Sequence, residues 1–339
     1  MKKYIIIFFV FISISIFPIE KEKQILLCPK ALNNPFWFAV ENGMKDAAKD
    51  LDIDFIFDAP LNIDSNEQFR FLVKYIENGI KGLGVSPIDP IIISELGDTA
   101  LKKMIPFITF DSDISNKENR LLYIGTDNYS AGKEAAKLMI EKINSKKSDK
   151  KIIKIAILTG SVEAKNLNER IDGFREHILN VTNRDFEVIL LEKLYTGNED
   201  TAKSIEALKL INIEHPDIDC IFMAGAWALF GKEEKYVESF SDINNAIETI
   251  VVSFDTLPNE LELLKKGYVD GLIGQKPYDI GYLAAMVLYN INKFGVENTY
   301  KMMSLCVKDN NTLYTELDIV TDSNVDKYIE IANKIYNRK

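Results

Sequence analysis

The fold is decided by residues 24–57, QILLCPKALNNPFWFAVENGMKDAAKDLDIDFIF, in which two short apolar runs enclose a longer segment with helical periodicity. Gln24–Cys28 and Asp54–Phe57 have the length and apolar content of buried strands. After Pro35, apolar side chains recur at the spacing of one helical face, at Val40, Met44, Ala47, Ala48 and Leu51. A strand, a helix and a second strand in this order predict the β-α-β unit of a parallel sheet.

The same alternation continues along the chain and restarts after Asn128. Further predicted strands are Gly82–Val85, Phe107–Phe110, Ile152–Thr159, Phe186–Tyr195, Cys220–Ala224, Ile250–Phe254 and Leu272–Gly274. The chain is longer than a single core usually organises, and no long linker separates its halves. The sequence therefore predicts an α/β fold of two similar doubly wound parallel-sheet domains, joined by short crossings that suit hinge closure over a cleft.

Residues 1–19 have the pattern of a secretory signal peptide. Lys2 and Lys3 precede an almost wholly apolar run from Tyr4 to Phe17, and charged residues follow from Glu20. The apolar run is shorter than the roughly 20 residues that a membrane-spanning helix needs. We expect export to the periplasm, with an uncleaved membrane tether as the alternative because small residues are scarce at the cleavage position.

Composition excludes several classes of function. A net charge of −10 argues against a nucleic-acid partner, since phosphate binding needs a basic surface. Cys28, Cys220 and Cys306 are far apart in apolar stretches, which predicts buried thiols rather than a disulfide framework. Only two histidines occur, with no His/Cys/carboxylate cluster at ligand spacing, so neither a metal nor another cofactor is expected.

Ligands of open α/β sheets bind beyond the carboxyl ends of the strands. The residues that follow the predicted strands are mainly carboxylates, amides and aromatics, and they include Asn34, Phe36, Trp37, Asp111, Trp227, Asp255 and Gln275. Carboxylates and amides suit sugar hydroxyls, and aromatic rings suit the apolar face of a sugar ring. Each aspartate could instead be a helix N-cap, and Phe36 and Trp37 could be core residues.

Catalytic interpretations find less support. Neither histidine lies in a loop after a strand, and the sequence lacks the G-x-S-x-G nucleophile motif. It also lacks both glycine-rich phosphate-binding motifs. Paired carboxylates alone could indicate a glycosidase, but only with a desolvated acid. The sequence thus favours a binding protein over an enzyme.

An ordered set of motifs resembles the type I periplasmic pentose- and hexose-binding proteins of ABC importers, over about residues 24–295. The matching segments are Leu32–Trp37 with Gly43 and Ala47-Ala48, Phe110–Asp113, Tyr123–Asn128 with Ala131-Gly132, Arg170–Phe174, His215–Asp217, Ser253–Asp255 and Gly274-Gln275. The resemblance implies the periplasmic binding protein-like I fold, with a monosaccharide held between two lobes.

The resemblance also implies site residues and lobe boundaries. The implied ligand-binding residues are Asn34, Phe36, Trp37, Asp111, Asn166, Asn168, Arg170, Asp255 and Gln275, with Tyr195 as an aromatic on the far side of the sugar. A three-segment hinge is implied near Thr126–Asn128, Gln275–Pro277 and Met303–Val307. The lobes would comprise 24–126 plus 277–303 and 129–274 plus 307–339, with Val325–Tyr336 as an added helix.

The chain departs from many relatives at two positions. Ser112 stands where an arginine is common, so that donor is missing or supplied from elsewhere, for example by Arg120. Gly225-Ala226-Trp227 stands where Asn-Asp is common, which makes Trp227 either a stacking platform for the sugar or a packing residue. The aromatic residues favour a pyranose such as glucose, galactose or xylose.

The expected function is a monomeric receptor that closes on a sugar and docks on a membrane ABC permease or a chemoreceptor. A receptor for a nucleoside or autoinducer on the same fold is the alternative, and a sugar-modifying enzyme is a third possibility. A transcriptional repressor with this core would need a basic helix-turn-helix before the first strand, where the chain has an apolar segment instead.

Overall fold

The computed structural model describes residues 25–32, 34–61, 63–182, 184–304, 307 and 311–336. The signal segment predicted at 1–19 and the thiol of Cys306 lie outside these residues. Within them, no helix combines the length and apolar character needed to cross a bilayer.

The described residues form twelve strands and twelve α-helices. The strands are β1 (Ile25–Cys28), β2 (Ile56–Phe57), β3 (Gly82–Val85), β4 (Phe107–Phe110), β5 (Tyr123–Gly125), β6 (Ile152–Thr159), β7 (Glu187–Thr196), β8 (Cys220–Met223), β9 (Ile250–Phe254), β10 (Gly271–Gly274), β11 (Thr312–Tyr314) and β12 (Asp318–Val320). The helices are α1 (Pro35–Leu51), α2 (Ser65–Glu77), α3 (Ile92–Lys102), α4 (Asn128–Lys146), α5 (Lys165–Asn180), α6 (Thr201–Glu214), α7 (Glu233–Glu238), α8 (Ile243–Glu248), α9 (Pro258–Lys265), α10 (Pro277–Phe294), α11 (Val296–Met302) and α12 (Val325–Tyr336).

Two six-stranded sheets organise two α/β domains, as predicted. The first sheet has the order β11-β5-β4-β3-β1-β2 and is parallel throughout. The second has the order β12-β10-β9-β8-β6-β7, in which only β12 is antiparallel to its neighbour. Central strands such as β1, β4 and β8 are buried along their whole length, because helices cover both faces of each sheet.

Local signals in the sequence explain where the helices begin and how closely they pack. Helix α1 begins where the Asn34 side chain accepts a hydrogen bond from the Phe36 N–H at 2.9 Å. It packs against α10 so closely that a Cβ on Gly43 would lie 1.9 Å from the carbonyl oxygen of Tyr278. A Cβ on Gly132 of α4 would lie 2.0 Å from the carbonyl oxygen of Arg170 on α5. Both domains therefore depend on glycine at a close helix crossing.

The chain crosses between the two sheets three times. The first two crossings, from β5 to α4 and from β10 to α10, lie at the residues predicted for the hinge. The third was predicted near Met303–Val307, and this prediction is wrong, because β11 pairs in parallel with β5 of the first sheet. The crossing lies between β11 and β12, so the range 307–339 is divided between the domains. A strand of three residues carries too little apolar pattern to be recognised in the sequence.

Helix α12 belongs to the second domain but also reaches the first. Val325, Tyr328 and Ala332 are buried in the core of the second domain. At the end of the helix, the Ile335 carbonyl accepts a hydrogen bond from the Asn42 Nδ2 of α1 at 3.0 Å. The Tyr336 ring stacks on Phe38 of α1 with 6.1 Å between the ring centroids. The domains thus touch away from the crossings as well as at them.

Candidate ligand-binding cleft between the domains

The carboxyl ends of both sheets face a common cleft with about 440 Å³ of space between its atoms, its open mouth included. Its lining residues are Lys30, Asn34, Phe36, Trp37 and Asp111 from the first domain, Asn166, Leu167, Arg170, Glu199, Gly225, Ala226, Trp227, Phe230 and Asp255 from the second, and Gln275 at a crossing. A concave, partly aromatic site with a few convergent polar groups is typical of small-molecule binding.

Two aspartates occupy equivalent positions in the two domains. Asp111 directly follows β4 with φ 60°, and Asp255 directly follows β9 with φ 70°. The left-handed backbone region is sparsely populated by residues other than glycine, although aspartate tolerates it better than most. Strained backbone of this kind is found preferentially at functional sites. Both carboxylates are buried, and each keeps one oxygen outside the hydrogen bonds described below.

A buried hydrogen-bond network joins Asp255 to the crossings between the domains. Gln275 donates from Nε2 to Asp255 Oδ1 at 2.6 Å, and its Oε1 accepts from Thr126 Oγ1 at 3.0 Å and from Arg170 Nη2 at 2.8 Å. Arg170 also donates from Nε to Asn128 Oδ1 at 2.9 Å. Thr126, Asn128 and Gln275 all lie at crossings, so the network fixes the hinge and the floor of the cleft together.

Arg170 is the centre of this network. Besides its bonds to Asn128 and Gln275, Nη1 donates to the Ala224 carbonyl at 3.0 Å, and the guanidinium lies 4.1 Å from the centroid of the Phe254 ring. Burial lowers the pKa of Arg170, and Asp255 partly opposes this effect. Burial likewise raises the pKa of Asp255, against the opposing influence of Arg170. Arg170 and Asp255 therefore bring groups of opposite charge to the wall of the cleft.

Aromatic rings close the cleft from both domains. Phe36 and Trp37 meet edge to face with centroids 4.9 Å apart, and both are buried. On the opposite side, Trp227 packs over two glycines. A Cβ on Gly160 would lie 2.4 Å, and one on Gly225 2.2 Å, from atoms of the indole ring. The absence of side chains at both positions lets the indole lie flat against the backbone at the cleft wall.

Comparison with known proteins agrees with this architecture. Residues 25–295 match the sequence model of the periplasmic binding protein domain. The chain belongs to the periplasmic binding protein family. It is 26% identical over 265 residues to the ribose import binding protein of Bacillus subtilis, covering 78% of this chain and 80% of that protein. It is 22% identical over 273 residues to the D-allose-binding periplasmic protein of Escherichia coli, covering 78% and 83% respectively.

Solved structures of binding proteins share the fold. An ABC transporter solute-binding protein of Burkholderia graminis in complex with D-arabinose has a TM-score of 0.74 at 24% identity, covering 90% of this chain and 96% of that one. One from Actinobacillus succinogenes with bound D-allose has a TM-score of 0.76 at 21% identity, covering 91% and 100%. The fold of this periplasmic binding protein, as predicted from its motifs, is thereby confirmed.

The structure brings nine of the eleven predicted site residues of this binding protein to the cleft. They are Asn34, Phe36, Trp37, Asp111, Asn166, Arg170, Trp227, Asp255 and Gln275. Asn168 does not line it, because its Nδ2 donates to the Val162 carbonyl at 2.9 Å in the preceding loop. Tyr195 does not line it either. Its ring is buried in the second domain, and its hydroxyl donates to Glu214 Oε2 at 2.6 Å.

Arg120 does not replace the donor that is missing at Ser112. Its guanidinium pairs with both carboxylate oxygens of Asp113, at 2.6 and 2.8 Å, and donates to the Asn311 carbonyl at 2.8 Å. Lys30 supplies a cation instead. Its buried Nζ lies 4.0 Å from Asp111 Oδ2 and 3.4 Å from Asn166 Oδ1 of the other domain. Lys30 therefore spans the cleft beside an aspartate.

Lys30 and Glu199 are the charged cleft residues that the sequence analysis missed. Both lie just after a strand, where ligand-contacting residues are expected, since Lys30 lies two residues after β1 and Glu199 three residues after β7. The position of each residue along the chain is thus a signal that could have identified it.

The thiols and the metal-binding side chains of the described residues offer no second centre. Cys28 and Cys220 are buried, and burial raises the pKa of both thiols. A buried thiol of raised pKa is a poor nucleophile, because the thiolate is the reactive form. Among the described residues, no group of three His, Cys, Asp or Glu side chains is placed to hold a metal ion.

Proposed function

We propose that this protein is an exported receptor that captures a monosaccharide of the glucose, galactose or xylose type by hinge closure. It delivers the sugar, as a monomer in the periplasm, to an ABC importer or a chemoreceptor. One observation carries the proposal. Two carboxylates in equivalent positions, Asp111 and Asp255, face each other's domain across a cleft that is walled by aromatic rings on both sides. The relatives named for ribose and D-allose support the same class of ligand.

The chemistry of the cleft suits a sugar in particular. Asp111 and Asp255 can each accept from a hydroxyl, and hydrogen bonds to a charged group contribute about 1.5–3 kcal/mol each. Asn34, Asn166 and Gln275 add amide N–H groups as donors, since their oxygens already accept hydrogen bonds within the protein. Two charged bonds and several neutral ones can supply the roughly 8 kcal/mol of a micromolar complex. Trp37 and Trp227 can cover the apolar faces of the ring.

Closure follows from the division of these groups between the domains. Asn34, Trp37 and Asp111 belong to the first domain, and Arg170 and Asp255 to the second. A sugar can contact both sets at once only when the domains are together, so it stabilises the closed arrangement. The surface formed by closure then distinguishes the loaded receptor from the empty one for its membrane partner.

The two tryptophans make the test direct. The chain contains only Trp37 and Trp227, and both line the cleft. The intrinsic fluorescence of the mature protein is titrated with D-ribose, D-allose, D-xylose, D-glucose, D-galactose, nucleosides and autoinducer. We expect saturable changes in emission with at least one monosaccharide. The single-tryptophan variants Trp37→Phe and Trp227→Phe show whether the ligand contacts the ring of each domain.

Three outcomes separate the alternatives. A response to nucleosides or autoinducer without a response to any monosaccharide contradicts the sugar class but keeps the receptor. Conversion of the bound sugar during prolonged incubation contradicts a pure binding role and indicates an enzyme. Retained sugar affinity in Asp255→Asn, with an unchanged melting temperature, contradicts the site, because that variant removes a charged acceptor while keeping the size of the side chain.

A further inference from the structure

Glu199 lies in a turn whose backbone directs its side chain into the cleft. The turn follows the end of β7, and both Asn198 and Glu199 have positive φ, at 51° and 56°. The Glu199 N–H donates to the Gly160 carbonyl at 2.9 Å, which ties the turn to the end of β6. Two successive residues in a sparsely populated backbone region cost free energy that the surrounding contacts must offset. The result is a carboxylate in the cleft wall near Trp227.

The Glu199 carboxylate accepts no hydrogen bond from any of the described residues. The two cations of the cleft are engaged elsewhere, since Lys30 Nζ donates to Asn166 and Arg170 donates to Asn128, Ala224 and Gln275. Burial raises the pKa of Glu199, Lys30 nearby opposes this rise, and Asp111 adds to it. A partly buried carboxylate without a donor is costly unless a ligand supplies one.

Three carboxylates leave free acceptor oxygens in the cleft. Asp111 accepts from Ser86 Oγ through Oδ2, and Asp255 accepts from Gln275 through Oδ1, which leaves one oxygen of each. Glu199 adds two more. Counted as ionised, three carboxylates face Lys30 and Arg170, so negative charge exceeds positive charge by one. Such a cleft favours ligands that donate hydrogen bonds and disfavours ligands that carry a further negative charge.

We propose that Glu199 contacts the ligand as a hydrogen-bond acceptor and restricts the cleft to sugars that present hydroxyl or amino donors there, so that acidic sugars are excluded. This inference rests on the proposed function and names the chemical class of its ligand. Trp227 and Glu199 then act together at the same wall of the cleft. The indole packs against the sugar ring, and the carboxylate accepts hydrogen bonds from the hydroxyl or amino groups at the edge of that ring.

The test compares matched sugars on two proteins. The probes are D-glucose with D-glucosamine and D-glucuronate, and D-galactose with D-galactosamine and D-galacturonate, each titrated by tryptophan fluorescence and calorimetry. We expect a uronate to bind at least about a hundredfold more weakly than its neutral parent, because two carboxylates would meet in a partly desolvated cleft. The amino sugar is expected to bind at least as tightly as the neutral one.

The variant Glu199→Gln keeps the shape of the side chain and removes its charge. It is expected to bind the neutral sugar about tenfold more weakly, because a neutral acceptor forms a weaker hydrogen bond than a charged one. The ratio of the affinities for the neutral sugar and the uronate is expected to fall by a similar factor. Glu206→Gln, an exposed glutamate on α6, is the matched control and should change neither quantity. Melting temperatures of both variants verify that the fold is retained.

The results distinguish this inference from the proposed function. If the wild-type protein binds a neutral sugar and Glu199→Gln changes neither its affinity nor the discrimination against uronates, Glu199 is not a ligand contact and the inference is wrong. If D-ribose, D-allose or D-xylose is the sugar that binds, its affinity for the wild-type protein is compared with its affinity for Glu199→Gln in the same way. If no sugar changes the fluorescence of the wild-type protein, the proposed function fails, and this inference fails with it.

Discussion

Glu260 makes the stability of the second domain depend on pH in a direction that can be calculated. It lies in the first turn of α9, is fully buried, and accepts a hydrogen bond from the Leu257 N–H through Oε2 at 2.9 Å. Its other oxygen, Oε1, has no hydrogen-bond partner among the described residues. Burial raises the pKa of Glu260 well above its ordinary value of 4.5, and the nearby Asp255 raises it further. Folding therefore favours the protonated form of this side chain.

The sign and size of the effect follow from linkage. The unfolded chain loses the Glu260 proton as pH rises through 4.5, whereas the folded protein keeps it until the raised pKa is reached. The contribution of Glu260 to the free energy of unfolding is thus fully present below pH 4.5 and falls by about 1.4 kcal/mol per pH unit between the two pKa values. The loss is complete once pH exceeds the raised pKa of the folded protein.

The change to make is Glu260→Gln, which keeps the acceptor for Leu257 and removes the titration. Urea unfolding followed by circular dichroism at several pH values from 5 to 7.5 gives the free energy of unfolding of each protein. We expect the variant to gain stability relative to the wild type as pH rises, by about 1.4 kcal/mol for each pH unit over which the folded wild-type protein keeps the Glu260 proton. Any constant offset from burying the amide cancels in the comparison of slopes.

Glu262→Gln is the matched control, because Glu262 is exposed on the same helix. Its curve should run parallel to the wild-type curve. Other buried carboxylates of raised pKa, such as Asp255 and Asp270, contribute equally to all three proteins. Parallel curves for Glu260→Gln and the wild type would show that Glu260 is ionised when folded, and the reasoning from its burial would be refuted.

Three further changes test the hinge network, the cleft wall and the domain core. Arg170→Leu is expected to lower the free energy of unfolding by about 3–5 kcal/mol, measured by urea unfolding, since it leaves buried acceptors and Asp255 without their cation. Gly225→Ala should displace the Trp227 ring and weaken sugar binding roughly three- to tenfold in a fluorescence titration, with an unchanged melting temperature as the check on folding. Gly281→Ala puts a Cβ 1.9 Å from the carbonyl oxygen of Val40, so the melting temperature of this variant should fall. An unchanged melting temperature would contradict the close crossing of α1 and α10.

Strands buried on both faces were readable from the sequence because they are continuous apolar runs. Gly82–Val85, Phe107–Phe110, Ile152–Thr159 and Ile250–Phe254 were predicted with the bounds that the structure shows. The short edge strands β11 and β12 were not readable. β11 owes its place to pairing with β5, a contact between residues about 190 positions apart, and no local pattern encodes it.

The candidate site was predictable where the position of a residue depends on the end of a strand, and not where it depends on side-chain partners. Asp111 and Asp255 follow directly from β4 and β9. Tyr195 lies at the end of a strand as well, but its hydroxyl donates to Glu214 of the neighbouring helix and the residue does not line the cleft. Arg120 does not reach the cleft as a donor, because its guanidinium forms an ion pair with Asp113.

Lys30 and Glu199, the two charged cleft residues that were not predicted from the sequence, bring opposite charges to the same cleft. The buried Lys30 Nζ lies 4.0 Å from Asp111 Oδ2 and 3.4 Å from Asn166 Oδ1 of the other domain. Lys30 also opposes the rise in the pKa of Glu199 that burial causes. Each charge therefore makes the other more tolerable in a desolvated cleft. Coupling of this kind is measurable: the loss of sugar affinity in the double variant Lys30→Met with Glu199→Gln should be smaller than the sum of the two single losses, and strict additivity would show that the residues act independently.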